Sequence, residues 1–311
     1  MDFNTTHARH DPAHCLAPGL FRSLKRGDRK QMKLDVTYQY ADNEQARFIG
    51  FEPLGADDMR LLQGLVALSG PKGIILTPSP KADIAVQLRA KLEPRFDAAT
   101  QDALVVQESL TRLLSEIGLT AGGDNLKGIK ASLVRMSNVT VIVTKDGKQA
   151  SFHLMSHALD EADGRLFVAL NPRITEAILG RRAYTWIDMA EVRGLESDPA
   201  RFMHQRLCGW INTGKAGRVA LDTLCGYVWP NEINENAMRK RRSVARKALN
   251  ELAALGWTIK EYAKDKWEIS RPNLNPRDLY REDSEGWTPT VTFPKPRSNG
   301  NKSRSNGSKS T

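Results

Sequence analysis

The stretch Met238-Arg239-Lys240-Arg241-Arg242-Ser243-Val244-Ala245-Arg246-Lys247-Ala248-Leu249 packs six basic side chains into twelve residues. Wound at 3.6 residues per turn, it places Ala245, Ala248, Leu249, Leu252 and Leu255 on one side, leaving Arg239, Arg242, Ser243, Arg246, Lys247 and Asn250 on the other. Such a face suits the major groove of duplex DNA. Arginine bonds guanine O6 and N7 bidentately, asparagine does the same with adenine, and charges such as Lys240 reach phosphates. A solvated, charged helix is the plain alternative for a basic run standing alone. Little acid lies beside these six charges in sequence, so a polyanionic partner is the expectation.

The flanking sequence sets this helix in a recognisable order. Ser197-Asp198-Pro199 opens an amphipathic helix through Ile211, Val219 to Leu221 is a short strand, and a second helix runs to Trp229 before the basic one. Two alternating strands then surround Ala263-Lys264-Asp265-Lys266, a hairpin with Lys264 and Lys266 at its tip. Helix, strand, two helices and a cationic hairpin make a winged helix. The preceding half reads similarly. A helix starts after Gly55 and closes at Gly70-Pro71, a strand lies at Ile74 to Leu76, and Ser109 caps a helix that Gly118 stops. A further helix after Gly122-Gly123 turns Lys127, Lys130 and Arg135 outward. The Asp146-Gly147 hairpin then carries Lys145 and Lys148 as a wing. The expected fold is α+β, with tandem winged-helix domains at 51–194 and 195–272, a basic extended arm at 1–50 and a disordered basic tail at 273–311.

Composition agrees with a nucleic-acid partner. The chain has 311 residues, a net charge of +10 and a pI near 9.6. No apolar run approaches the ~18 residues of a spanning helix, and three scattered cysteines (Cys15, Cys208, Cys225) fit a reducing compartment, so a cytoplasmic protein is expected. Enzyme signals are weak. Gly209 to Ala216 resembles a phosphate-binding loop but has Ala216 where a hydroxyl should hold magnesium. His7, His10, His14 and Cys15 lack a second ligand pair for zinc, and His204 and Cys208, one turn apart, read as packing residues. No catalytic residue, metal or cofactor is expected.

Longer strings carry a resemblance. His10-Asp11-Pro12-Ala13-His14-Cys15-Leu16-Ala17-Pro18-Gly19-Leu20-Phe21, Glu52-Pro53-Leu54-Gly55-Ala56-Asp57-Asp58 and His204-Gln205-Arg206-Leu207-Cys208-Gly209-Trp210 are similar to the replication protein C family of IncQ-type plasmids. Asp222-Thr223-Leu224-Cys225-Gly226-Tyr227-Val228-Trp229-Pro230 and Met238 to Arg242 extend the similarity, which spans about residues 9 to 272. The resemblance implies an initiator that binds iterons at the vegetative origin, helps to open a neighbouring AT-rich region, and works with a plasmid-encoded helicase and primase. Self-association is left open. A transcriptional repressor, including an autoregulator, would use the same helices. A relaxase or nuclease would need a metal-binding histidine cluster near Tyr38 or Tyr40, which the sequence does not offer.

Overall fold

Short apolar runs broken by turn residues dictate many short elements. The computed structural model describes residues 5–160, 164–231 and 233–273. In chain order they form β1 (His7–His10), α1 (Pro12–Leu16), α2 (Asp28–Gln31), β2 (Leu34–Ala41), β3 (Glu44–Gly50), α3 (Ala56–Lys72) and β4 (Ile74–Leu76). Next come α4 (Asp83–Leu92), β5 (Arg95–Phe96), β6 (Ala103–Ser109), α5 (Leu110–Glu116), α6 (Gly123–Ser137), β7 (Thr140–Lys145), β8 (Lys148–His153), β9 (Met155–Asp160) and β10 (Arg165–Leu170). The remainder is α7 (Pro172–Ile178), β11 (Thr185–Asp188), α8 (Met189–Gly194), α9 (Asp198–Trp210), β12 (Ala216–Ala220), α10 (Leu221–Val228), α11 (Glu235–Ala254), β13 (Thr258–Ala263) and β14 (Lys266–Ser270).

The last six elements form one supersecondary unit. Strand β14 lies between β12 and β13, all antiparallel, behind α9, α10 and α11. The same plan recurs upstream. In the sheet β4-β6-β10-β9, strand β10 lies between β6 and β9 as β14 lies between β12 and β13, and α5 and α6 connect β6 to the later strands. The buried residues of the two third helices match in spacing: Ile129, Ser132, Leu133 and Met136 on α6 recur as Ala245, Ala248, Leu249 and Leu252 on α11. A duplicated helix–strand–helix–helix–hairpin unit is therefore visible in the fold.

Several expectations are corrected. The hairpin β7–β8 turns at Asp146-Gly147, both at positive φ, but it is not the upstream wing. It is inserted between α6 and β9 and joins the five-stranded sheet β2-β3-β7-β8-β5, with Asp146 N donating to the Asn43 carbonyl at 3.1 Å. The wing position belongs to β9–β10, whose turn residues 161–163 lie outside the described residues. Nor is 1–50 an extended arm. Strand β1 pairs with β11, β2 and β3 build the five-stranded sheet, and Ala8, Ala13, Cys15, Leu20, Phe21, Leu34, Ala46 and Phe48 are buried. Elements β1, α1 and α2 are only four or five residues long and β1 pairs with a strand far along the chain, whereas in β2 the alternation of Leu34, Val36, Tyr38 and Tyr40 with polar residues is a strand signal that the basic run at 22–33 overshadowed. Between β4 and β6, where no helix was expected, α4 is held by buried Ala85, Leu88 and Leu92. Helix α3 continues through Gly70-Pro71 to Lys72. The expected tail, 273–311, lies outside the described residues apart from Asn273.

The two units share one core rather than owning two. A continuous buried cluster runs from Ala8 and Leu20 through α3, α5 and α6 to Leu207, Leu224, Leu249 and Ile269. Helix α9 packs on α1 at Gly209, where a Cβ would lie 2.9 Å from Leu16 Cδ2 and 3.2 Å from Cys15 Cβ. Only a residue without a side chain lets the helices approach so closely. Buried polar links reinforce the join: Gln63 Nε2 donates to Gln205 Oε1 at 2.8 Å, and Arg271 donates to the carbonyls of Trp186, Cys208 and Ile211.

Candidate nucleic-acid interface

Helix α11 begins where Asn234 caps it, its side-chain oxygen accepting from Ala237 N at 2.9 Å. Its buried stripe rests on α9 and α10, which fixes the rotation of the opposite side. That side exposes Arg239, Lys240, Ser243, Arg246, Lys247 and Asn250, as the spacing required. Lys264 and Lys266 are exposed at the β13–β14 turn, beside the same helix. The order places six of the seven residues expected on α11, and both wing lysines, on one accessible surface.

Arg242 is the exception, and the acids around it were missed. Its guanidinium meets Asp222 of α10 in a fork, Nε to Oδ1 at 2.6 Å and Nη2 to Oδ2 at 2.8 Å, while Nη1 meets Glu235 Oε1 at 2.7 Å. These contacts hold the Asp222 carboxyl below its ordinary range and raise Arg242 further, so both stay ionised. Arg246 is ion-paired to Asp265 in the wing turn, and Arg239 Nε lies 4.0 Å from Glu235 Oε1. The basic face is therefore laced with carboxylate from three elements, contrary to the expectation that it had little acid to pair with. Glu235, four residues before Arg239, was legible in sequence, whereas Asp222 and Asp265 reach α11 only through tertiary packing. Arg241 turns inward to donate to the carbonyls of Trp229 and Asn231, and its guanidinium carbon lies 5.6 Å from the Trp229 ring centroid. It ties off the α10–α11 turn.

The upstream unit offers a different surface. Lys127 and Lys130 are exposed on α6, and with Leu110, Leu126, Leu159 and Gly164 they line an open hollow of about 270 Å³ between that helix and β9–β10. At the positions of Ser243, Arg246, Lys247 and Asn250, α6 has Lys127, Lys130, Ala131 and Val134. Val134 is 55% exposed on this side of the helix. Arg135, expected outward, is only partly exposed and meets the buried Asp58 carboxylate at 2.8 Å, which Arg29 also reaches at 3.2 Å. Lys145 and Lys148 are exposed but sit on the inserted hairpin, where Lys145 Nζ pairs with Glu44 Oε1 at 2.6 Å.

The remaining chemistry-bearing groups are committed to packing. His7 stacks on Trp186, and His14 Nδ1 meets Asp11 Oδ2 at 2.7 Å, with Arg173 on the same carboxylate. Tyr40 OH accepts from Arg173 at 3.0 Å. Sequence reasoning gave His204 and Cys208 no third partner, but folding brings Glu191 to them, and among the described residues this trio is the one acid/histidine/cysteine group close enough for a metal. Its atoms already satisfy one another: the same His204 Nε2 meets both Glu191 and Cys208 Sγ, and Trp257 Nε1 donates to the other Glu191 oxygen. No helix among the described residues is long and apolar enough to cross a membrane.

The fold is similar to the crystal structure of domains 2 and 3 of RctB, with a TM-score of 0.54, 12% identity, and coverage of 85% of this chain and 99% of that one. A second structure of RctB domains 2–3 gives 0.49 at 12% identity, covering 82% and 92%. Comparison with curated proteins finds no match. The family model for replication protein C (RepC) matches residues 2–273, and the chain belongs to that family.

Proposed function

We propose that this protein is a plasmid replication initiator that binds iteron repeats in duplex DNA at a vegetative origin, with α11 entering the major groove and the β13–β14 turn holding phosphates. The observation that carries the reading is the rotation of α11. A stripe of Ala245, Ala248, Leu249 and Leu252 is buried, and the opposite face presents arginine, lysine, serine and asparagine from the third-helix position of a winged unit. Membership of a replication protein family supports the origin as target. The upstream unit, at about 51–194, is a second winged contact with α6 in the equivalent place, holding the duplex mainly through phosphates, and the C-terminal unit spans 195–272. Because they share a core, they contact the duplex as one rigid clamp rather than as beads on a linker. Binding at several repeats then supplies free energy to strain adjacent AT-rich DNA, where the plasmid's helicase and primase are recruited. This step uses binding energy alone and assigns the chain no catalytic residue.

The test is footprinting on the origin of the plasmid that encodes the chain, alongside its other intergenic DNA. Protection repeated at each iteron, with permanganate-reactive thymines in the flanking AT-rich DNA, is expected. Protection confined to a promoter would replace the reading with a repressor.

A further inference from the structure

We infer that Asp222, Glu235 and Asp265 form an anionic screen that sets DNA selectivity by competing with phosphate for the arginines of α11. The inference rests on the origin-binding reading and deepens it. Three carboxylates from three separate elements, the first turn of α10, the first residue of α11 and the wing turn, converge on two arginines of one face. Asp222 occupies the Arg242 fork in the bidentate geometry that guanine O6 and N7 would use, and Glu235 fills the remaining nitrogen. Asp265 holds Arg246 from the turn that also carries Lys264 and Lys266.

A bidentate, networked pair adds only modest stability where its acids are more than half exposed, as Asp222 and Glu235 are at 51% and 61%. On a surface that approaches a polyanion, however, their charge has a consequence. Non-specific binding is almost wholly phosphate neutralisation. A carboxylate that holds an arginine cancels that gain and repels the incoming phosphate. A site presenting a correctly placed base edge offers the arginine a bidentate neutral acceptor in exchange. The screen therefore weakens all complexes but weakens random ones more, which raises the ratio between them. It also explains why the basic face keeps acid at its rim.

The experiment uses the full chain. A duplex enriched by the wild type from a random-sequence pool is compared with a random duplex, in titrations over a range of salt concentrations. The Asp222→Asn/Glu235→Gln/Asp265→Asn variant should bind random duplex about tenfold or more tighter, with a salt slope steeper by ~0.9 for each phosphate newly neutralised. Affinity for the enriched duplex should rise by less, so the selectivity ratio falls by the difference between the two. An unchanged or higher ratio, or a random-duplex affinity that does not rise, overturns the screen. A fall in enriched-duplex binding alone also overturns it, because the acids would then be orienting the arginines. Should the triple variant lose its cooperative melt, Asp265→Asn, which releases Arg246 alone, is judged by the same ratio and slope. A wild type that enriches no sequence overturns the origin-binding reading together with this inference. A selective wild type whose variant keeps the ratio overturns this inference only.

Discussion

His204 Nε2 lies 2.6 Å from Glu191 Oε2, joining α9 to α8 where Trp257 enters the β13–β14 hairpin. Burial alone would lower the histidine's pKa, but Cys208 and Glu191 outweigh it and raise it to about 10, while the glutamate is held below its usual range despite its own burial. A histidine raised in the folded state adds stability that is complete below its unfolded value, about 6.5, and is lost as pH climbs toward 10. The lowered glutamate works at the other end, adding stability above the usual carboxylate range and losing it as pH falls. Melting temperature should therefore decline from pH 7 to 10. His204→Gln should remove most of that slope and cost about 3–5 kcal/mol at pH 7 by leaving Glu191 without its counter-charge. A parallel alkaline decline in wild type and variant would assign the pH dependence elsewhere.

Arg246 and Asn250 stand one turn apart on the exposed side of α11, with Lys247 beside them. If α11 lies in the groove, Arg246→Ala and Asn250→Ala each weaken the cognate complex by roughly 1–3 kcal/mol while random duplex loses much less. Lys247→Ala should weaken both DNAs alike and flatten the salt slope by ~0.9. Competition titrations at one salt concentration read all three. Equal losses on both DNAs for Arg246→Ala would reassign it to phosphate.

The shared core makes a prediction about dissection. Two independently folding domains were the expectation from sequence, yet Phe202, Met203, Leu207 and Cys208 of α9 are buried within the same cluster as α3 and β11. Residues 195–273 expressed alone should expose that surface and give a non-cooperative melt. Gly209→Leu in the full chain should destabilise it by about 1–3 kcal/mol, since α1 blocks the new side chain. A fragment with a sharp thermal transition would return the C-terminal unit to the status of a separate domain.

What was legible in sequence was local and periodic. The Ala245/Ala248/Leu249/Leu252 stripe fixed the exposed face of α11, Ser109 and Gly118 bounded α5, and Asp146-Gly147 marked a hairpin. What was missed depends on long-range pairing. Strand β3 chooses β7 as its neighbour, which removes the β7–β8 hairpin from the wing position, and no spacing rule records that choice. Arg135 has the charge of a DNA contact, but Asp58 at the start of α3 claims it. The site was readable on the helix that carries it and unreadable wherever another element supplies the partner, as Asp222 and Asp265 do.

Two pairs of lysines separate the sequence's choice of upstream wing from the fold's. Lys127 and Lys130 stand on α6, the counterpart of α11, whereas Lys145 and Lys148 stand on a hairpin whose turn packs against Asn43 of the β2–β3 hairpin. All four are exposed and each pair carries the same charge, so a long-range field effect would treat the pairs alike. At physiological salt the field is screened within about 8 Å, and what counts is proximity to phosphate. Lys127→Ala/Lys130→Ala should reduce the salt slope by up to ~1.8, about 0.9 per contact, and lower affinity on cognate and random duplex together. Lys145→Ala/Lys148→Ala should leave the slope within error, and its removal of the Lys145–Glu44 pair is a surface event of ~0–1 kcal/mol. Because Ala131 and Val134 occupy the α6 positions that Lys247 and Asn250 hold on α11, neither double variant should change which sequence is preferred. A larger slope change from the Lys145/Lys148 variant would put the β7–β8 hairpin on the DNA after all and move α6 off it.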